Sequence, residues 1–130
     1  MDGLIDWSVL GQPKFDRYVE ALIQREYGSQ PGVRVVPSRG GVKDGGIDIA
    51  LHRDGVLDTI FQLKYFPGGM SGGHSKRKQQ VKESFETALS RHTPRLWVLV
   101  TPDNLSPDEQ AYVDALPGDR PVEVDYYGRD

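Results

Sequence analysis

Asp48, Gln62 and Lys64 are the residues of this 130-residue sequence whose types and spacing could do chemistry. They stand in Asp44-Gly45-Gly46-Ile47-Asp48-Ile49 and in Phe61-Gln62-Leu63-Lys64. Side chains alternate along a strand, so Gln62 and Lys64 share one side and Leu63 takes the other. Asp48 points opposite to Ile47 and Ile49, which are natural core residues, and is therefore expected on the more accessible face. Pairing of the two segments around Arg53-Asp54-Gly55 brings Asp48 alongside Gln62 and Lys64. A carboxylate and an amide oxygen suit a hard divalent cation such as Mg²⁺, which takes a few protein oxygens and keeps waters in its other positions. The lysine beside them could orient or deprotonate an attacking water. Asp44 could hold a second metal, but Asp-Gly is a common turn dipeptide and a turn role is the plainer one.

The elements that must carry these residues follow from periodicity. Residues 14–27 place Phe15, Tyr18, Val19, Leu22 and Ile23 on one helical face, with Gly28 as a stop. Asp16 and Glu20 lie at the flank of that face, and either could complete a metal site from the helix side. Val33–Pro37, Gly45–Leu51 and Leu57–Phe66 read as strands. A polar helix is expected over roughly 77–91, with Val81, Phe85 and Leu89 at core spacing. Arg95–Thr101 is apolar on both faces and suits a central strand. Ser106 and Glu109 match a capping box for a helix over Pro107–Leu116. Val122–Tyr126 is a last strand. The order α-β-β-β-α-β-α-β predicts an α/β domain, a central mixed sheet flanked by helices.

Composition narrows the classes. A mass of 14.5 kDa with 37% hydrophobic residues fits one domain spanning 1–130, read either as a whole protein or as the N-terminal domain of a longer one. Cysteine is absent, which excludes disulfides, thiolate zinc sites and cysteine nucleophiles. No apolar run is long enough for a membrane span, so no membrane partner and a cytoplasmic location are expected. Ser71, Ser75 and Ser90 have no neighbouring His–Asp arrangement that would suggest a triad. The net charge of −3 hides a basic island in residues 64–95 and an acidic final third. Within the island, the glycine-rich stretch Pro67–Gly73 is open to two roles. It is a flexible connector, or a mobile loop whose end, His74, Lys76, Arg77 and Lys78, closes on a phosphate backbone. Lys82, one helical turn on, extends that stripe. The acidic final third is expected to face away from nucleic acid or to meet a partner.

The helix acid, GGIDIA and FQLKYF together resemble the PD-(D/E)xK nuclease superfamily, and most closely its Mrr-like restriction branch, where glutamine replaces the acid of the E-x-K pair. The resemblance covers about residues 14–126 and implies a restriction-endonuclease-like αβββαβ core. It implies Mg²⁺-dependent hydrolysis of DNA phosphodiesters, with Mn²⁺ able to substitute, by a homodimer or higher oligomer acting on double-stranded DNA. Asp48 would be the obligatory metal ligand, Gln62 the second ligand, and Lys64 the group that positions or activates water and steadies the phosphate. The family's helix acid falls on Asp16 or Glu20. Such domains serve as effector ends of restriction or antiphage defence proteins, with a further C-terminal domain in the full protein. The competing expectation is a catalytically inactive nucleic-acid-binding or oligomerisation module on the same fold.

Overall fold

The computed structural model describes residues 11–37, 47–70 and 75–128, and these form all eight expected elements in the expected order. Helix α1 spans Gln12–Tyr27, strands β1 Val33–Pro37, β2 Ile49–Arg53 and β3 Val56–Leu63, and helix α2 Ser75–Arg91. Strand β4, Leu96–Val100, helix α3, Pro107–Asp114, and strand β5, Glu123–Tyr127, complete the fold. The five strands lie in the order β1-β2-β3-β4-β5. The first three are antiparallel neighbours, whereas β3, β4 and β5 run parallel, so the sheet is mixed.

The β2–β3 turn is two residues long, Asp54 at φ 52° and Gly55 at φ 83°. Positive φ at both central positions is what a type I′ turn requires, and its twist matches the flanking strands. The alignment then slips once: Leu51 faces Thr59 and His52 faces Leu57, so Asp58 is an extra, bulged residue. The bulge aims Asp58 at Arg95, which grips it through two bonds of 3.0 and 3.1 Å. Asp58 also accepts from the Thr59 hydroxyl at 2.7 Å and lies 3.6 Å from Arg53. The Arg95 guanidinium therefore holds the Asp58 carboxyl below its ordinary range, against the opposing effect of burial. A depressed carboxylate stabilises the fold above its unfolded pKa and loses that contribution as pH falls through the folded value. Acid titration of folding is thus expected to show a loss of stability beginning near about pH 4 that Asp58→Asn makes shallower. Superimposable pH curves for the two proteins would show that the Arg95 pair contributes nothing.

Both faces of the sheet are covered. On one, Phe15, Val19 and Ile23 of α1 pack on Val35, Ile49, Leu51, Phe61, Leu63, Val98 and Val100. On the other, Val81, Phe85 and Ala88 of α2 and Val113 of α3 pack on Ala50, Ile60, Trp97 and Leu99. Phe85 meets Trp97 edge to face at 5.1 Å and 84°, the arrangement that ring quadrupoles favour. Arg120 lies 5.1 Å over the Phe85 ring and pairs with Glu86 at 2.7 and 2.9 Å, which seals the outside of this core. β5 ends the sheet among the described residues. There the Asp125 carboxylate accepts from the Tyr126 backbone N–H at 2.7 Å.

Candidate active site

The hairpin register brings Asp48 and Gln62 together. Ile49 faces Phe61, so the residue before Ile49 lies across from the one after Phe61. The Gln62 Nε2 donates to Asp48 Oδ2 at 2.9 Å, and the Leu63 backbone N–H donates to the same oxygen at 2.7 Å. The pair is not on an accessible face, as alternation between two isoleucines suggests: Asp48 is 7% exposed and Gln62 3%. Asp48 precedes β2, and Ile47 packs in the core under α2 and α3 while Ile49 packs in the core under α1, so the two isoleucines do not share a face and Asp48 does not lie opposite both; with helices on both sides of the sheet, its position is interior. Gln62 Oε1 is buried and meets no hydrogen-bond donor. An orphaned buried acceptor costs about 1–3 kcal/mol, so this oxygen is one that a cation or a water would relieve.

Lys64 follows β3 directly. Its backbone N–H donates to Val100 O at 2.9 Å, carrying the parallel ladder one residue further, and it is half-buried. It therefore stands at the rim where β3, β4 and β5 all end, the edge of a parallel sheet where ligands usually sit. The first turn of α1 reaches the same rim: Phe15 packs against Tyr65, ring centroids 5.7 Å apart. Asp16 and Glu20 are half-buried on this part of α1, but α1 covers the Leu63 face, whereas alternation puts Gln62 on the other. A helix acid would have to approach Asp48 around the rim. Asp44 lies outside the described residues, as does His74. Among the described residues there is no group of three or more His, Asp or Glu side chains that could hold a metal.

The loop after Lys64 is held, not loose. Gly68 N–H donates to Asp103 Oδ2 at 2.7 Å and Met70 N–H donates to Glu109 Oε2 at 2.7 Å. Arg77 turns inward, donating to the carbonyls of Pro67 at 2.7 Å and Gly69 at 2.8 Å, with its guanidinium 5.0 Å over the Phe66 ring. Over Pro67–Met70 the expectation of a mobile loop is therefore corrected; Ser71–His74 lie outside the described residues. Gly69 has φ +85°, and a Cβ there would sit 2.9 Å from Glu109 Oε2, so only glycine fits.

The basic island divides accordingly. Arg77 is committed to the loop, and Lys78 lies 5.4 Å over the Tyr112 ring. Lys76 and Lys82 are exposed on α2. Arg95 is engaged with Asp58 at the opposite end of the sheet. Nor does the acidic final third all face away from the basic island, since Asp103 and Glu109 hold the loop that leaves Lys64. Sequence reading placed Glu109 in a capping box and missed this second contact. Compared with protein-family models, with curated proteins and with solved structures, the chain matches none.

Proposed function

We propose that this chain is a Mg²⁺-dependent DNA endonuclease domain with a restriction-endonuclease-like fold, the effector part of a restriction or antiphage protein. The observation that carries the reading is the contact between Asp48 and Gln62 beside an amide oxygen left without a donor, two residues from Lys64 at the sheet's rim. The αβββαβ order and the mixed sheet are compatible with the resemblance drawn from the GGIDIA and FQLKYF segments.

Asp48 and Gln62 would hold the ion through a carboxylate and an amide oxygen, a donor set that suits a hard cation completing its shell with water. When bound, Mg²⁺ supplies Lewis-acid polarisation of the phosphate and a more acidic water. The chain's own residues do the rest. Lys64 Nζ donates to a non-bridging phosphate oxygen or holds the attacking water. Lys76 and Lys82 face the phosphate backbone from α2, where each cation adds salt-sensitive affinity without reading sequence.

A second reading has its own support. Asp48 Oδ2 already accepts two hydrogen bonds and both site residues are buried, which suits an internal strut in a nucleic-acid-binding or oligomerisation module. Incubation of supercoiled plasmid with the protein, in Mg²⁺ and in chelator, decides between them. Nicked or linear product in Mg²⁺ alone is the expected result. DNA retention without cleavage in either condition would replace the nuclease with the module.

A further inference from the structure

Lys64 is useful at the rim only if the chain leaving β3 holds its backbone in one place, and Glu109 ties down that chain. Glu109 is 4% exposed, and its carboxylate divides its oxygens between two elements. Oε1 accepts from the Ser106 N–H at 2.8 Å, closing the capping box of α3, while Oε2 accepts from the Met70 N–H at 2.7 Å. Ser106 Oγ in turn accepts from Glu109 N–H at 3.2 Å. Between Lys64 and Met70 the chain folds back through Phe66 N–H to Lys64 O at 3.0 Å and Gly69 N–H to Phe66 O at 3.0 Å. The Lys64 carbonyl is thus part of a turn whose far end is anchored on α3, 39 residues away from Met70.

We propose that Glu109 is a positioning residue for Lys64. It locks the Lys64–Met70 turn to the start of α3 and so fixes where the ammonium is presented. This rests on the nuclease reading of the same site. A capping box alone needs only one carboxylate oxygen and does not account for the second, nor for the glycine at position 69 that makes room for it.

Two variants separate positioning from helix capping. Glu109→Gln keeps one acceptor oxygen but sets an NH₂ group against an N–H donor, so one bond is lost. Ser106→Ala weakens the cap and leaves the Met70 bond in place. The first readout is NMR of the folded proteins: amide exchange at Met70 and Gly68, and the Lys64 ε-CH₂ shift. Glu109→Gln is expected to speed Met70 exchange by about tenfold, one lost hydrogen bond, and to move the Lys64 signal. Ser106→Ala should change neither. The second readout is Mg²⁺-dependent cleavage, where Glu109→Gln is expected to lower kcat by about 10- to 100-fold with KM little changed, the penalty of a misplaced group. An unmoved Lys64 signal in Glu109→Gln, or equal effects of the two variants, would overturn the positioning role. A parent protein that never cleaves, with Lys64 still displaced in Glu109→Gln, would sink the nuclease reading and leave the tether standing.

Discussion

Replacing Asp48 with alanine is expected to abolish Mg²⁺-dependent cleavage and to destabilise the fold at once. The variant leaves Gln62 Nε2 and Leu63 N–H buried with no acceptor, and at about 1–3 kcal/mol for each orphaned donor the loss is roughly 2–6 kcal/mol. An inactive alanine variant alone would therefore say little about chemistry. Asp48→Asn separates the two effects. Both bonds go to one oxygen, and the asparagine side-chain oxygen in that place can accept both, so this variant should unfold at a denaturant concentration nearer the parent's than the alanine variant's. It nevertheless lacks the negative charge that holds a divalent ion, and the loss of several kcal/mol of transition-state stabilisation corresponds to about a thousandfold or more in rate. Denaturant midpoints and plasmid cleavage, measured on all three proteins where each is folded, supply the comparison. Cleavage at the parent's rate by the asparagine variant would remove Asp48 from the catalytic centre, and an alanine variant as stable as the parent would remove the strut.

Lys64→Met is the second large effect, and it is expected in activity more than in stability. The Lys64 contact that joins β3 to β4 is made by its backbone N–H, which no side-chain change removes. Methionine keeps the length of the aliphatic stem but not the ammonium's charge, so a stability loss of about 1–2 kcal/mol is expected, small beside the effect on activity. Loss of one preorganised donor from a transition state lowers kcat by about 10²–10³-fold, and that is the size anticipated here. Lys64→Arg distinguishes the lysine's two suggested duties. A guanidinium keeps the positive charge but does not deprotonate in proteins. Substantial cleavage by the arginine variant assigns Lys64 to charge stabilisation, and none assigns it to proton transfer from water. A methionine variant that cleaves like the parent would take Lys64 out of the reaction.

The meeting of Asp48 with Gln62 was only partly legible. The Asp54-Gly55 turn, a local signal, starts the hairpin, but its register carried through would set Asp48 across from Phe61; the Asp58 bulge, which no local pattern announced, shifts the strands so that Gln62 comes opposite instead. The burial of the pair was not legible. Alternation says that two residues point opposite ways, but which directions are interior depends on helices that arrive from elsewhere in the chain. Glu109 was half legible for a related reason. Its bond to the Ser106 N–H lies within one helical turn and follows from a four-residue pattern, whereas its bond to Met70 spans 39 positions and leaves no local trace. Arg77 misled for a different reason, since a run of basic residues looks like a solvated stripe until a nearby loop offers carbonyls and a ring face. Gly68 and Gly69 both take positive φ in the structure, a defined path that the glycine-rich composition alone does not distinguish from a flexible connector.

The carboxylate of Asp125, folded onto the Tyr126 amide, has a consequence for assembly. An uncapped outermost ribbon invites another chain to extend it, and a charged group placed there is a common safeguard. A newcomer at this margin would have to evict Asp125 from its amide. Two copies approaching margin to margin would also bring Glu123 and Asp125 from each side into mutual repulsion. Continuous growth through β5, the outer strand among the described residues, is thereby opposed.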